Sequence, residues 1–492
     1  MLRRSMAFRD AAVLVVYFAA VLGVGLWFGR KEAGVDDYFL GGRRQPWPIV
    51  GLSILATELS ALTFVSVPGR AFATDFDYLH IVLGGVCGRL VVAWLFLPAL
   101  YRARVTTVYE FLGQRFGPHT RATAAALFFG SRILGSSLRL LAASIAISVI
   151  LQWPLHWALL AVAAMAVLYA TTGGIKAIIW TDALQALVFV ASAAAVLVFL
   201  FTTTPGPVGD GLQTAWDAGK LDLLAGDLNW NSDRAFWVLF VYGAFQYAAA
   251  FGTDQDLTQR MLTCADAGRA RRSLVFNALI GVPVTSLFLL VGAMMFVLAR
   301  SGTGAWAPAA EMARDRIFPD FIAHAVPAGN GLRGLLLAGV CAAAMSSLDS
   351  ALGALSSTAV VDVYRPYVAP GRSDAHYLRA GRWLSVGFGA LLVAIALAFA
   401  GRRDLLVDAF GWAGLIFGAL LGVFLLGLLT RRGDDRWTPV AMLSSVATLA
   451  ALKLWQDGGD PTHPRLLLAW PWWIVVGTLW TAGWGAACRG RR

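Results

Sequence analysis

The chain has 492 residues, of which 58% are hydrophobic and only 14% are charged, and its mean hydropathy is +0.67. This composition excludes an ordinary soluble domain, in which about 25% of all residues are charged. The net charge of +11 would suggest nucleic-acid binding in a soluble protein. Here the arginines lie in short loops between apolar runs, which is the positive-inside bias of a membrane protein. Four cysteines without a CxxC spacing indicate neither a disulfide framework nor a metal cluster.

Apolar runs of about 20 residues, the length of a membrane-spanning helix, recur along the whole chain. They are solidly apolar rather than alternating, so the spans are expected to be helices and not barrel strands. The run after the basic N-terminus is long and lacks a cleavage pattern, so we interpret it as a retained first span. The sequence therefore predicts an all-α polytopic membrane protein with about thirteen transmembrane helices. These helices are predicted at 11–29, 47–68, 79–101, 122–152, 155–170, 177–201, 235–252, 274–299, 333–361, 383–400, 405–430, 437–454 and 468–488.

The loops between the predicted spans alternate in charge, and the arginine-rich loops all fall on one side. That side is expected to be the cytoplasm. The N-terminus is then outside and the C-terminus is cytoplasmic, in a multi-pass protein of the cell (inner) membrane. No soluble segment interrupts the spans, so residues 1–492 are predicted to form a single membrane domain.

The order of the spans permits an inverted repeat. Five spans over 47–201 that start inside can be matched with five over 235–430 that start outside, as in many secondary transporters. This core is then flanked by helices at 11–29, 437–454 and 468–488.

The first span of each half contains small or helix-breaking residues. They are Gly51, Pro68 and Gly69 in one half and Gly243 and Gly252 in the other. Interrupted helices expose backbone carbonyls that hold ions in such proteins. On the glycines alone, however, close packing between helices is the stronger explanation.

Ionisable residues inside spans cost about 2.5–3.5 kcal/mol each, so each needs a partner or a function. Asp182 lies about five residues, or roughly 8 Å, inside its span. A carboxylate at that depth is suited to binding a cation. The alternative is a salt bridge to an arginine of another helix.

Hydroxyl groups form a stripe along the span 333–361. Ala343, Ser346, Ser347 and Ser350 share one helical face, and Asp349 borders it. Hydroxyl and carboxylate oxygens suit a hard cation such as sodium. The alternative is small-residue packing, with the hydroxyls bonded to the preceding turn.

Two further spans carry polar groups that can meet a solute. Ser60 and Thr63 lie on one face of the span 47–68, and Arg132 and Arg139 are seven residues apart on one face of the span 122–152. A buried arginine binds a carboxylate well and so suits an anionic substrate. The alternative, equally weighted, is a structural pair with Glu58, Asp182 or Asp349.

With these motifs in view, the sequence resembles the sodium:solute symporter family over about residues 36–430. Each motif is weak alone, but their order and spacing together are specific. They are Asp37-Tyr38-Phe39-Leu40-Gly41-Gly42-Arg43, Gly173-Gly174 with Trp180-Thr181-Asp182 and Gln185, Thr253-Asp254-Gln255-Asp256 with Gln259-Arg260, Ala343-Ala344-Met345-Ser346-Ser347, and Asp362-Val363-Tyr364.

The resemblance implies a LeuT-type inverted repeat of five plus five helices. It implies a first sodium site made by the carbonyls of Ala56, Leu59 and Ala343 with the hydroxyls of Ser346 and Ser347.

A second sodium site, present in some members, would correspond to Asp182, Ser346, Asp349 and Ser350. Asp349 stands where the sialic acid branch has a serine. The extra carboxylate either strengthens that site or titrates and replaces a sodium by a proton.

The resemblance also implies substrate positions at Ser60, Thr63, His80, Arg132, Gln246 and Tyr247. The segment around Ser60 and Thr63 is most similar to the sialic acid branch. His80 departs from an amide at that position, so the resemblance does not assure the same substrate.

We therefore expect a symporter that imports a small polar solute with sodium (Na+) by alternating access. The solute classes are a sugar acid such as sialic acid, a sugar or a monocarboxylate. An enzyme is not expected, because the chain has neither an H-E-x-x-H nor a G-x-S-x-G motif. The expected partners are the solute, sodium and lipid, with no nucleic acid and no required protein. The alternatives are a membrane sensor or channel on the same fold, or a proton-coupled symporter.

Overall fold

The computed structural model describes residues 7–28, 35–172, 174–223, 229–302, 306–309, 311–400, 405–458 and 468–488. All regular elements in these ranges are helices. The first ten are α1 (Phe8–Phe28), α2 (Val35–Leu40), α3 (Trp47–Glu58), α4 (Ala61–Ala73), α5 (Tyr78–Val91), α6 (Leu97–Ala103), α7 (Val108–Arg115), α8 (Pro118–Leu151), α9 (Leu155–Thr172) and α10 (Ile175–Thr203).

The second ten are α11 (Val208–Asp217), α12 (Phe236–Gly252), α13 (Gln255–Leu262), α14 (Ala267–Arg300), α15 (Arg314–His324), α16 (Leu332–Thr358), α17 (Asp374–Ala398), α18 (Leu405–Leu429), α19 (Trp437–Asp457) and α20 (Trp472–Ala487). A 3-10 turn, Gly41–Arg43, follows α2. A π-helical segment, Val92–Phe96, joins α5 to α6, and another, Ala359–Val368, extends α16.

The helices confirm the all-α, polytopic fold class. In the described part of the chain, eight helices are long and apolar enough to cross a membrane, and two bent pairs raise this number to ten. Each predicted span lies on a helix, but three of them lie on helices whose described residues do not meet this criterion of length and apolar composition. These are α9, α18 and α20. The count of thirteen membrane crossings therefore stays a prediction.

Two spans are broken, and each opens one half of the predicted repeat. The axes of α3 and α4 meet at 59°, and those of α12 and α13 meet at 60°. The first break falls at Leu59 and Ser60, whose ψ angles of 70° and 172° are not helical. The second falls at Thr253 and Asp254, and Asp254 caps α13 by accepting a hydrogen bond from the backbone of Asp256.

The helix breaks do not fall at Gly51, Pro68, Gly69 or Gly243, because these residues lie inside continuous helices. The three glycines instead allow close packing between helices. A Cβ atom on Gly69 would clash with the carbonyl oxygen of Arg314, and one on Gly243 would clash with that of Ile81. Gly252 directly precedes the second break and packs on the ring of Phe96.

The α5–α12 contact predicts a large packing effect for a small substitution. A methyl group on Gly84 would clash with the carbonyl oxygen of Phe240. Gly84→Ala is expected to destabilise the protein by about 1–3 kcal/mol, the usual cost of overpacking. Thermal unfolding in detergent measures this. The control is Gly387→Ala on α17, where no atom lies within 4 Å of the added carbon, and equal melting of the two variants would contradict the close contact.

The helix α16 lies at the centre of the bundle, since 94% of its most apolar stretch is buried, against 17% for α1. It packs against α3, α8, α9 and α10. Large apolar side chains face outward on the peripheral helices, such as Trp27, Trp94 and Trp383. Polar groups on α16 therefore have to find their partners inside the protein.

Candidate functional site

A polar cavity lies between the two helix breaks. Its walls come from both sides of the first break, from α5, α8 and α12, and from the start of α13 and part of α18. Its polar lining consists of Thr57, Glu58, Ser60, Thr63, Tyr78, Ser131, Arg132, Arg139, Gln246, Tyr247 and Asp254.

Most charged groups in this cavity are already paired. Glu58 forms an ion pair with Arg89, and the Arg89 guanidinium lies 4.2 Å from the ring centre of Tyr247. Arg132 forms ion pairs with Asp254, at 3.3 Å, and with Asp256. Arg139 has neither an ion pair nor a hydrogen bond of its side chain within the described residues. It is therefore the lining cation with most capacity to bind an anion.

Five of the six predicted substrate positions line this cavity, namely Ser60, Thr63, Arg132, Gln246 and Tyr247. His80, the sixth predicted position, does not line the cavity, and its side chain is fully buried. The His80 ring instead contacts the carbonyl of Leu223 through Nε2 and packs edge-on against Phe236. Its neighbours Tyr78 and Ile81 reach the cavity in its place.

A cluster of oxygen atoms lies beside the first break. The Ser346 hydroxyl donates to the carbonyl of Ala56 at 2.9 Å and to that of Ala343 at 3.3 Å. The Ser347 hydroxyl is fully buried and has no hydrogen-bond partner in the described part of the chain. Leu59 ends α3, so its carbonyl is released from the helical ladder. We call these five residues the break cluster.

A second cluster contains two buried carboxylates. Asp182 Oδ2 accepts hydrogen bonds from Ser53, at 2.7 Å, and from Arg260, at 2.8 Å. Of the two roles considered for Asp182, the salt bridge to an arginine of another helix is present. Asp182 Oδ1, however, has no hydrogen-bond partner among the described residues.

Asp349 is fully buried on α16. Its Oδ1 accepts from the backbone N–H of Ser350 at 2.6 Å, while Oδ2 has no partner among the residues described here. An unpartnered oxygen on each of two buried carboxylates is an arrangement that a cation would stabilise. We call Asp182, Asp349 and Ser350 the carboxylate cluster.

The structural partners of Arg132 differ from the three that the sequence suggested. They are Asp254 and Asp256, at the second break, rather than Glu58, Asp182 or Asp349. In the sequence, Asp254, Asp256 and Arg260 stand out only as parts of a motif. The four-residue spacing of Asp256 and Arg260, which suits an ion pair on a helix, was the available signal.

Paired broken helices around a polar central cavity, with backbone carbonyls and hydroxyls at one break, define a secondary transporter. The family description of the sodium:solute symporters matches residues 38–443. The chain belongs to the sodium:solute symporter family. It is therefore a multi-pass membrane protein that couples solute transport to sodium, and it is a transporter rather than an enzyme.

Two bacterial relatives are similar over nearly the whole length. The sodium/sialic acid symporter NanT of Aliivibrio fischeri is 26% identical over 89% of this chain and 86% of its own. The sodium/sialic acid symporter SiaT of Proteus mirabilis is also 26% identical, over 92% of this chain and 90% of its own. The human sodium-coupled monocarboxylate transporter 1 is 27% identical, over 93% of this chain and 73% of its own.

Solved structures show the same fold. A Na+-coupled sialic acid symporter, solved in a substrate-bound outward-open state, superposes with a TM-score of 0.87 at 24% identity, covering 98% of both chains. MHP1, a nucleobase-cation-symport-1 family transporter, has a TM-score of 0.56 at 16% identity, over 91% of this chain and 92% of that one. These likenesses support the LeuT-type architecture.

Proposed function

We propose that this chain imports a small carboxylate, of the sugar-acid or monocarboxylate class, together with sodium. The observation that carries the proposal is the shared helix break. Ser60 lines the cavity, while Ala56 and Leu59, in the same segment, belong to the break cluster. Solute and ion would therefore bind to opposite sides of a few residues, so that each stabilises the geometry the other needs.

The first sodium is proposed to bind to the break cluster, through the carbonyls of Ala56, Leu59 and Ala343 and the hydroxyls of Ser346 and Ser347. Oxygen ligands of this kind suit a hard cation. The unpartnered Ser347 hydroxyl supports this assignment, since a buried polar group without a partner costs about 1–3 kcal/mol.

A second sodium is proposed at the carboxylate cluster, between Asp182 and Asp349, with Ser346 and Ser350 alongside. The carboxylate oxygens on α10 and α16 that lack a hydrogen-bond partner among the described residues support it. A buried ion is costly unless it is paired. A cation between these two carboxylates would remove that cost.

The solute is proposed to bind in the cavity, where Ser60, Thr63, Gln246 and Tyr247 supply hydrogen bonds. Its carboxylate would be held by Arg139, whose five N–H groups suit a carboxylate. Arg132 lies on the same face of α8 and would make a second contact with this carboxylate, in competition with its partners Asp254 and Asp256. The names of the relatives, sodium/sialic acid symporter and sodium-coupled monocarboxylate transporter, agree with a carboxylated solute.

Residues 1–492 are proposed to act as one transporter domain, with the core repeat over 47–201 and 235–430. The positive-inside rule orients it in the inner cell membrane with the N-terminus outside and the C-terminus in the cytoplasm. Lipid would cover the exposed apolar side chains of the outer helices. No further protein is required by this scheme.

A thermal-shift screen of the purified protein tests the proposal, because a ligand that binds only the native state stabilises it. Sialic acid, short monocarboxylates, neutral sugars and amino acids would each be added in sodium chloride and in choline chloride. We expect carboxylates to raise the melting temperature in sodium only. Stabilisation by neutral sugars alone, or by carboxylates equally without sodium, would contradict the proposed solute class or its coupling.

Arg139→Gln is expected to weaken binding of the carboxylate by about 10- to 100-fold, since a hydrogen bond to a charged group contributes about 1.5–3 kcal/mol. The matched ligand control is the amide of the same compound, whose weaker affinity should not change. Arg139→Lys should recover part of the carboxylate affinity. An unchanged carboxylate affinity in Arg139→Gln would assign the anion to Arg132 alone.

A further inference from the structure

The carboxylate of Asp256 is shared between two arginines that belong to different sites. Its Oδ2 forms an ion pair with Arg132, which lines the solute cavity, and its Oδ1 forms one with Arg260. The Asp256 side chain is fully buried, as is that of Arg260, so water does not screen these contacts.

Arg260 continues the connection to the carboxylate cluster. Its Nη2 donates to Asp182 Oδ2 at 2.8 Å, and its Nε donates to Ser53 Oγ at 3.0 Å. Asp182 is thus held by the same guanidinium that holds Asp256. An unbroken series of ion pairs leads from Arg132 through Asp256 and Arg260 to Asp182.

We propose that Asp256 is the positioning residue that couples occupation of the solute cavity to sodium binding at Asp182. The proposal rests on the function proposed above. An anionic solute competes with Asp256 for Arg132, so Asp256 then interacts more strongly with Arg260. Arg260 in turn releases part of its hold on Asp182, and that carboxylate becomes available to sodium.

The charges support this direction of coupling. A carboxylate solute brings one negative charge to Arg132, and a sodium ion brings one positive charge to Asp182. The two arginines and the two aspartates keep their charges and exchange only partners. Solute and sodium each replace one contact of the series, so the binding of one favours the binding of the other by linkage.

Sodium alone is a sufficient probe, because removal of Arg132 imitates its capture by a solute. Purified Arg132→Gln, Asp256→Asn and the double variant would be titrated with sodium chloride, with choline chloride keeping the ionic strength constant. Melting temperature would be the readout. The three variants and the native protein form a double-mutant cycle.

We expect Arg132→Gln to lower the half-saturating sodium concentration by about 10-fold, within the usual range of coupling between sites. Asp256→Asn should raise the half-saturating sodium concentration, because Asp182 is then the only carboxylate left of the two that Arg260 contacts. In the Asp256→Asn background, Arg132→Gln should change it by less than about twofold. Additive effects of the two substitutions on the half-saturating sodium concentration would overturn the proposal. Additivity would mean that the charge of Arg132 acts on the sodium site through space, without Asp256.

Arg139→Gln is the matched control, since Arg139 lines the same cavity but does not contact Asp256. Its effect on sodium affinity should add to that of Asp256→Asn. A non-additive Arg139 cycle of the same size as the Arg132 cycle would overturn the assignment to the ion-pair series.

A second variant covers the case in which Asp256→Asn does not fold. Arg260→Lys keeps the charge, but a point-like ammonium does not bridge two carboxylates as the guanidinium fork does. It should abolish the effect of Arg132→Gln on sodium affinity, and a persistent 10-fold effect would overturn the proposal. If the native protein itself shows no sodium-dependent stabilisation, the proposed function fails. If sodium does stabilise it but the double-mutant cycles are additive, only the coupling role of Asp256 fails.

Discussion

Replacing Ser347 by alanine is expected to raise the half-saturating sodium concentration for transport by at least about 10-fold. A tenfold change in affinity corresponds to about 1.4 kcal/mol of binding free energy. The Ser347 hydroxyl is buried and lacks a hydrogen-bond partner in the described chain. Its removal therefore sacrifices no internal hydrogen bond of those residues and leaves the sodium-free fold intact. The loss would fall on the sodium-bound form, which loses one ligand oxygen.

The matched control for this prediction is Ser356→Ala on the same helix. The Ser356 hydroxyl donates to the carbonyl of Gly353 within α16, and the side chain is also buried. Sodium-dependent uptake in proteoliposomes would compare the two variants. Ser356→Ala should retain the native sodium dependence, and an unchanged sodium requirement in Ser347→Ala would remove this residue from the first site.

Replacing Asp349 by alanine is expected to make transport insensitive to membrane potential. With two sodium ions per carboxylate, each native cycle carries one net positive charge inward. A potential of 100 mV contributes about 2.3 kcal/mol per charge, so native accumulation should rise about 50-fold at that potential. The variant would carry one sodium per carboxylate, and this cycle is electroneutral.

Asp349→Ser distinguishes loss of a ligand from damage to the helix. A serine keeps one oxygen at this position and should retain voltage-dependent accumulation, although at a higher sodium concentration. Uptake would be measured with and without a potassium diffusion potential set by valinomycin. Voltage-dependent accumulation in Asp349→Ala equal to that of the native protein would contradict a second sodium at this carboxylate.

Hydropathy alone predicted the helical bundle well, because a span in lipid has to be apolar along its whole length. The position of the first break was not predictable in this way. Neither position of the break, Leu59 or Ser60, is a glycine or a proline. Gly51 and Gly69, which suggested a break, instead pack against neighbouring helices. The ion pair between Glu58 and Arg89 lies directly beside this break.

The candidate site was predictable where helical periodicity decides which residues share a face. Ser346 donates a hydrogen bond to the carbonyl of Ala56, and Ser60 and Thr63 line the cavity. His80 was not predictable, since its orientation depends on Leu223, which is 143 residues away.

The partners of Arg132 were likewise beyond sequence reasoning. Asp254 and Asp256 reach this arginine because the second break turns α13 away from α12 by 60°. A continuous helix would place these two carboxylates elsewhere. The ion-pair series follows from that bend, and it is the reason for proposing that Arg139 holds the solute carboxylate.

The most direct test of sodium-coupled symport uses proteoliposomes that contain the purified chain. It measures their uptake of the carboxylate that stabilises the protein in the thermal-shift screen. An inward sodium gradient is predicted to accumulate the solute above its external concentration, and an equal potassium gradient is predicted not to. Accumulation driven by a proton gradient without sodium, or simple equilibration unaffected by the sodium gradient, would contradict sodium-coupled symport by this protein.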